Sequence, residues 1–307
     1  MSRCSEYSRS IIVALCLMIL SSKVLAQDLD PRAYTKVPID ITFAVLGFGY
    51  SYGNVITDPT IAIQDLNAKI ESPILGIGQT FSLFGLTSQA YVTLPYTWAQ
   101  ATGLALGDER STTRSGLADM KFRLSVLLLG APATTLTEFT KDPTRTTVLG
   151  LSLSIVAPTG QFFPDKIINI GTNRWSFKPE LGLSYPVGKR MLIDLYTGIW
   201  LFTNNESFYP GSSVRSQNPL YVLQLDISYN VNPLMWAAID VTYYIGGQSS
   251  INNVHNNDRE DNVRVGATLN LPLNKKNSLK FAYSTGAIIR FGADFSTISV
   301  AWQTTVF

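Results

Sequence analysis

Apolar and polar residues alternate along twelve short stretches of this chain of 307 residues. In the stretch 117–129, for example, Met120, Phe122 and Leu124 alternate with Lys121 and Arg123. Because successive side chains of a β-strand point to opposite sides, such a strand has one apolar face and one charged face. The connectors between the stretches alternate in length. Long loops alternating with short turns are typical of an antiparallel transmembrane β-barrel of the outer-membrane type.

The pattern predicts about twelve strands in an all-β fold. They lie at residues 39–52, 68–83, 86–102, 117–129, 146–158, 174–186, 191–203, 219–230, 236–246, 262–273, 278–290 and 295–307. The long polar links 107–116, 204–215 and 247–261 are predicted as outer loops.

Two links do not follow the alternation of long and short. The link 130–145 is long where a short turn is expected, and the spacing of Leu136, Phe139 and Thr140 indicates a small helix there. The link 291–294 is short where a long loop is expected. Ten or fourteen strands therefore remain as alternatives to twelve.

The charged strand faces decide between two kinds of all-β protein. A soluble sandwich or a lipocalin-like barrel would bury its apolar face inside. Burying many lone ions in a dry core costs several kcal/mol each, so charges of both signs at mid-strand indicate that this face lines a wet lumen. The predicted lumen-lining residues are Asp119, Lys121, Arg123, Arg174, Lys178, Glu180, Asp226, Asp240 and Arg264. They either neutralise one another or contact a solute, and the sequence leaves both interpretations open.

Aromatic residues near the strand ends have two interpretations as well. They form interfacial girdles in the membrane, which we favour, or a track for a substrate. The residues are Tyr50, Tyr52, Tyr96, Trp98, Trp200, Trp236, Tyr243 and Tyr244.

The beginning of the chain has the pattern of a secretory signal peptide. Arg3 and Arg9 precede the apolar run 11–20, and Ala26 ends a suitable cleavage site. We therefore predict a cleaved signal at residues 1–26 and a single barrel domain at 27–307. Cys4 and Cys16, the two cysteines of the chain, fall in the predicted signal, so the predicted mature protein has no thiol.

Net charge argues against a nucleic-acid partner. The chain has 24 basic and 22 acidic residues, of which three basic residues and one acidic residue belong to the predicted signal. The remaining charges balance, so the counterion release that drives nucleic-acid binding has no source.

The sequence predicts no catalytic, cofactor or metal site. The single histidine, His255, lies in a polar loop with no serine at the spacing of a barrel phospholipase, so a solvated histidine is the better interpretation. Asp258, Glu260 and Asp261 surround Arg259 without the spacing of a calcium loop. We therefore expect a protein that is not an enzyme and needs no cofactor.

Segments along nearly the whole predicted barrel resemble a known family. Residues 31–53, 93–103, 115–133, 169–184 and 263–286 are similar to the outer-membrane transporters of the meta-pathway of phenol degradation. This resemblance implies a barrel in the bacterial outer membrane that passes hydrophobic compounds. The aromatic last residue, Phe307, resembles the insertion signal of bacterial outer-membrane barrels, which implies the barrel-assembly machinery as a partner.

The sequence thus supports two hypotheses of function. The first is a passive outer-membrane channel or transporter for small hydrophobic or aromatic compounds, in contact with outer-membrane lipid, the assembly machinery and a small-molecule solute. The second is a closed barrel that serves a structural or surface-interaction role without transport. Whether the lumen is open or plugged does not follow from the sequence.

Overall fold

The computed structural model of the protein describes residues 30–56, 63–105, 108–142, 144–166 and 168–306. The predicted signal peptide and Phe307 lie outside these residues.

A closed antiparallel barrel of twelve strands forms the body of the molecule. Its wall consists of β1 (Thr42–Ile56), β2 (Ile63–Leu83), β3 (Leu86–Ala105), β5 (Met120–Leu129), β6 (Val148–Ala157), β7 (Ser176–Val187), β8 (Met191–Phe202), β11 (Leu220–Asn230), β12 (Trp236–Gly246), β15 (Glu260–Pro272), β16 (Asn277–Ile288) and β17 (Gly292–Val306). The last strand pairs with the first from Thr42↔Val306 to Ile56↔Gly292, which closes the wall. The predicted fold class and the count of twelve are confirmed.

One extra strand raises the outer rim of the barrel on one side. The link predicted as an outer loop at 107–116 forms β4 (Asp108–Leu117), which pairs with the outer half of β3. That prediction was wrong because the link alternates small polar and charged residues, which the apolar pattern does not identify as a strand. After β4 the chain passes Ala118 and Asp119 and continues as β5.

The alternation of faces is as predicted. On β11, the outward residues Leu223, Leu225 and Ile227 are 48%, 43% and 37% exposed, whereas the inward Gln224 and Asp226 are buried. In a protein dissolved in water this arrangement would be inverted. The apolar band therefore faces lipid, and the polar side chains face the lumen.

A second, smaller sheet lies at the outer end of the barrel. It consists of β9 (Asn205–Phe208), β10 (Ser213–Gln217), β13 (Ser249–Ile251) and β14 (Val254–His255), in the order β14-β13-β10-β9. These strands come from the links 204–215 and 247–261, which lie at the outer end as predicted but form short strands that sequence analysis did not predict. The strands are too short and too rich in Asn and Ser for their pattern to be seen in the sequence. We call this sheet the outer cap.

The inner end of the barrel has short turns and one helix. Phe84 and Gly85 connect β2 to β3 with positive φ angles of 52° and 79°, as a two-residue hairpin turn requires. The predicted helix is confirmed as α1 (Leu136–Lys141), where Thr135 and Glu138 form a capping box. In the part of the chain that the structure describes, no helix is long and apolar enough to cross a membrane.

Candidate functional site: the lumen

The inner surface of the barrel has two different halves. Strands β5 to β12 contribute large, charged and mostly buried side chains, whereas β1, β16 and β17 contribute several small residues between larger ones such as Phe43, Lys280 and Phe295. The small residues that face inward are Gly47, Gly49, Ser51, Ala282, Ser299 and Ala301. A Cβ atom added at Gly49 would be 3.9 Å from its nearest neighbour, the Ser72 carbonyl oxygen, so there is free space in front of this part of β1.

The strand registers place most predicted lumen residues on the inner face. Lys121, Arg123, Lys178, Glu180, Asp226, Asp240 and Arg264 all lie there. Asp119 lies between β4 and β5 instead, where its carboxylate accepts hydrogen bonds from the Gly160 and Thr172 backbone N–H groups, both at 2.8 Å. Asp119 therefore anchors the link between β6 and β7. Arg174 lies in the same link, just before β7.

Glu180 is the centre of a buried ionic network. One carboxylate oxygen accepts a hydrogen bond from Arg123 at 3.0 Å, and the other forms an ion pair with Lys178 at 2.7 Å. Lys178 lies on β7 together with Glu180, and Arg123 lies on β5, two strands away, so the charges compensate each other along the wall. The sequence pattern found these residues, and here the geometry supports mutual neutralisation.

Tyr34 occupies the inner half of the lumen. It belongs to residues 30–41, the inner segment, which precedes β1. Its hydroxyl group lies 2.7 Å from Ser152 Oγ and donates to Glu180 Oε1 at 2.9 Å. An unperturbed phenol has a pKa of about 10. The hydroxyl therefore remains a neutral donor at pH 7.

Two glycines of the wall make room for the Tyr34 ring. Gly150 of β6 pairs with Gly182 of β7. A Cβ atom at Gly150 would lie 2.2 Å from the nearest ring carbon, and one at Gly182 would lie 2.1 Å from two ring carbons. Tyr196 contacts the ring from β8 in an edge-on arrangement with centroids 5.1 Å apart. The socket therefore fits an aromatic ring.

Other residues of the inner segment contact the rest of the wall. Arg32 donates to Asn230 Oδ1 at 2.8 Å, and its guanidinium lies 4.5 Å from the ring centroid of Trp236. Asp30 forms an ion pair with Lys280 at 2.7 Å. The Asp40 backbone N–H donates to the Thr80 carbonyl at 2.9 Å. The inner segment is thus fixed inside the barrel, and sequence analysis did not predict this.

Three aspartates of adjacent strands form a buried row. Asp226 pairs with Asp194 on one side and with Asp240 on the other. Asp194 accepts a hydrogen bond from Ser184, and Asp226 accepts one from Gln224 at 2.9 Å. Sequence analysis missed Asp194, although its inward phase on β8 was a signal that could have identified it. In the described part of the chain, no group of three acidic, cysteine or histidine residues has an arrangement that could hold a metal ion.

An apolar and aromatic cluster lies in the lumen above these charges. It consists of Val156, Trp200, Phe202, Leu220, Val222 and Tyr244. The Trp200 and Phe202 rings are nearly parallel, with centroids 6.4 Å apart. Of the aromatic residues assigned to girdles, Trp200, Trp236 and Tyr244 face the lumen instead, whereas Tyr52 and Trp98 lie on the exposed outer face.

The outer cap holds the remaining polar residues of interest. Asp258 accepts hydrogen bonds from the Ser249 backbone N–H at 2.7 Å and from the Ser249 hydroxyl at 2.5 Å. His255 is exposed, as expected, but pairs across the hairpin with Ser250, whose Oγ lies 2.8 Å from His255 Nδ1. The sequence spacing did not suggest this pair, which arises from the register of β13 and β14. The Ser250 side chain is buried, and the contact ties the two strands together.

Comparison with known proteins identifies the family and the fold. Residues 49–288 match the family model described as "Putative MetA-pathway of phenol degradation". No curated protein sequence matches the chain. An outer membrane channel from Pseudomonas putida F1 is similar in structure, with a TM-score of 0.78 and 20% identity over 91% of this chain and 100% of that chain.

Two autotransporter domains are similar as well. The β domain of Bordetella BrkA has a TM-score of 0.54 and 12% identity, covering 87% of this chain and 99% of that chain. The transport unit of AIDA-I from Escherichia coli has a TM-score of 0.51 and 10% identity, covering 97% and 99%. The barrel is therefore of the outer-membrane type, and the protein lies in the bacterial outer membrane.

Proposed function

Because the chain belongs to the family described as "Putative MetA-pathway of phenol degradation", we propose that it is a passive channel for small hydrophobic or aromatic compounds. Its lumen needs no cofactor and no energy input, and transport follows the concentration gradient. The partners of this function are outer-membrane lipid, the small solute and, for insertion, the barrel-assembly machinery. No enzymatic step forms part of the proposal.

The free space along β1 is the observation that carries this proposal. Gly49 and its inward neighbours on β17, Ser299 and Ala301, leave a gap beside the charged half of the lumen, which we call the lane. At Gly47 an added Cβ atom would meet Ile74 only at 3.7 Å, an ordinary van der Waals contact. A barrel of twelve strands is wider than the barrels whose interior is filled by side chains and narrower than those with a wide aqueous channel. The lane is therefore suited to a small molecule.

The interior also supports a preference for aromatic solutes. Trp200, Phe202 and Tyr244 face the lumen and present rings where most other inward residues are polar. The outer membrane channel of Pseudomonas putida F1 has the same fold, which is compatible with passage through this barrel.

The inner segment favours a second candidate, a closed barrel without transport. Tyr34 is fully buried and Arg32 is bonded to the wall, so the inner half of the lumen is largely filled. In a closed barrel the outer cap and loops would carry the function. The two candidates differ in whether the lane beside β1 conducts.

Planar-bilayer recording of the folded mature protein distinguishes them. Wild type, Gly49→Leu and Ala44→Leu are compared, since Gly49 faces the lane and Ala44 has the outward phase of Leu46 and Phe48 on the same strand. A channel should give discrete conductance steps that Gly49→Leu reduces and Ala44→Leu leaves unchanged. Phenol added to one side should interrupt the current.

Other outcomes contradict the proposal. A verifiably folded barrel that gives no steps favours the closed candidate. Steps that are equal in wild type and Gly49→Leu show that ions do not pass along β1. If phenol and glycerol at similar concentrations reduce the current equally, the channel has no preference for aromatic compounds.

A further inference from the structure

Arg174 is a buried cation with unused hydrogen-bond donors. Its side chain is 3% exposed and lies beneath the outer cap, where Nη2 donates to Gln217 Oε1 at 2.6 Å. Among the residues that the structure describes, none accepts a hydrogen bond from its Nε or Nη1 atom, and both atoms are out of contact with solvent. A buried charged group that lacks acceptors is costly, so such a group in a native structure calls for a specific explanation.

The charged neighbours of Arg174 do not supply the missing acceptors. Asp119 is the acidic residue that acts on it, but its oxygens accept from Gly160 and Thr172 and form no ion pair with Arg174. Arg215 of β10, also buried, adds a second positive charge nearby. Asp258 and Glu260 act on Arg215, whereas Nε and Nη1 of Arg174 remain without an acceptor among the described residues.

The apolar neighbours of Arg174 are rings. Its guanidinium lies 4.4 Å from the ring centroid of Phe202, and Trp200 stacks parallel to Phe202 on the same strand. Lys178 lies 5.5 Å from the Trp200 ring centroid. In such an arrangement the cations can contact an anion, and the rings can contact an aromatic group of the same ligand.

We propose that Arg174 and the rings of Trp200 and Phe202 form a binding site for aromatic carboxylates at the outer end of the lumen, beneath the outer cap. This inference rests on the proposed function and narrows its solute class from aromatic compounds to aromatic acids. The carboxylate contacts Arg174, and the ring of the solute packs against the aromatic cluster.

Gln217 occupies the position in which we expect the carboxylate of the solute to bind. Nε and Nη2 donate from the same edge of a guanidinium, and a carboxylate accepts from both with its two oxygens. The single amide oxygen of Gln217 serves Nη2 and leaves Nε empty. The Gln217 amide nitrogen donates to the Gly247 carbonyl at 2.7 Å, so this side chain also joins the two outer links. A carboxylate that displaces Gln217 accepts hydrogen bonds from both Nε and Nη2 of Arg174. The hydrogen bond between Gln217 and the Gly247 carbonyl, which joins the two outer links, is then lost.

Binding of benzoate and of neutral benzyl alcohol to the folded mature barrel in detergent tests the site, by calorimetry and by Trp fluorescence. Benzoate should bind about tenfold more tightly or better, since a charged hydrogen-bond pair discriminates by at least that factor. Arg174→Gln should abolish the difference. Gln217→Glu should abolish it too, because its own carboxylate then accepts both hydrogen bonds.

Arg259→Gln is the matched control, because Arg259 is an exposed cation of the outer links and its loss changes the net charge equally. This variant should retain the preference for benzoate. Equal binding of the two ligands to wild type, or a preference that survives Gln217→Glu, overturns the inference. If Arg174→Gln does not fold, Gln217→Glu decides.

The test is independent of conductance. A barrel that conducts and shows no preference for benzoate retains the proposed function and loses this site. If the barrel binds benzoate through Arg174 but does not conduct, the binding site is supported and the channel function is contradicted. Aromatic acids would then be ligands of a surface receptor.

Discussion

Gly150 of β6 and Gly182 of β7 lie directly opposite each other, and the Tyr34 ring fills the space in front of both. Neither position tolerates a side chain while the ring is in place. The barrel wall is therefore shaped for a residue that precedes the barrel in the chain. The fit indicates that the inner segment is a constant part of the folded protein.

The first prediction concerns this socket. Gly182→Ala places a Cβ atom 2.1 Å from two ring carbons of Tyr34, so the ring must leave. Overpacking of this kind costs about 1–3 kcal/mol. We expect a lower temperature of unfolding and faster tryptic cleavage after Arg32 and Lys36. Gly49→Ala, which meets nothing closer than 3.9 Å, should change neither. Unaltered protection in Gly182→Ala would contradict the socket.

The second prediction separates the ring of Tyr34 from its hydroxyl group. Tyr34→Phe removes the bond to Ser152, at a cost of about 0.5–1.5 kcal/mol, and the bond to the charged Glu180, at a cost of about 1.5–3 kcal/mol. Tyr34→Ala also leaves a cavity and should cost about 3–5 kcal/mol. Denaturant unfolding of the two variants measures the difference. Equal losses would mean that the ring contributes little.

The third prediction concerns the charge of Glu180. Glu180→Gln leaves Arg123 and Lys178 without their acidic partner, and removal of one partner from a buried ion pair costs about 3–5 kcal/mol. The lumen also becomes more positive, so reversal potentials in a salt gradient should shift toward anion selectivity. Glu206→Gln, at an exposed position of β9, is the control and should leave both unchanged. A cation-selective Glu180→Gln barrel would show that this network does not line the ion path.

The fourth prediction concerns the seam between β16 and β17. Their pairing ends at Ser284↔Thr297, although both strands continue outward. Arg264 of β15 donates across the barrel interior to the Ala293 carbonyl at 3.1 Å and to the Phe295 carbonyl. Arg264→Leu should speed amide exchange in residues 285–296 and cost about 1–3 kcal/mol. Arg290→Leu, at an exposed position, should not. Unchanged exchange in Arg264→Leu would show that the seam needs no bridge.

The fifth prediction is a pH effect at α1. The backbone hydrogen bond from Thr135, followed by the bond from its hydroxyl, lowers the pKa of Glu138. A carboxyl group whose pKa is lowered in the folded state stabilises that state at pH values above its pKa in the unfolded chain. This contribution is lost as the pH falls through the pKa of the folded state. The protection of the amide hydrogens of residues 136–141, corrected for the intrinsic pH dependence of exchange, should therefore decrease on acidification below about pH 4. Glu138→Gln should show no such pH dependence, and an identical profile in both proteins would refute the assignment.

The sequence predicted the features that depend on local periodicity. The alternation in β5, β7, β11 and β12 fixed the lipid-facing and lumen-facing sides, and α1 followed from helical spacing. The inner segment could not be predicted, because residues 30–41 have no period and are fixed by contacts with distant strands. Gly150 and Gly182 have the inward phase, but only the strand register places them side by side.

Two other features had no signal in the pattern of apolar residues. Strand β4 consists of residues such as Arg110 and Thr112, because it rises beyond the lipid and both of its faces meet water. The outer cap is built of strands only two to five residues long, which depend on side-chain bonds such as the one between Ser249 and Asp258. Arg174 was found from its charge, but its unsatisfied donors are visible only in three dimensions.

The inner segment has a mechanical consequence for the barrel. It contacts β2 through Asp40, β6 and β7 through Tyr34, β11 and β12 through Arg32, and β16 through Asp30. These strands lie in successive sectors around the circumference. The segment therefore acts as an internal brace that keeps the inner rim round and resists flattening by lateral pressure from the bilayer. A barrel that loses this brace gains width at the cost of stiffness.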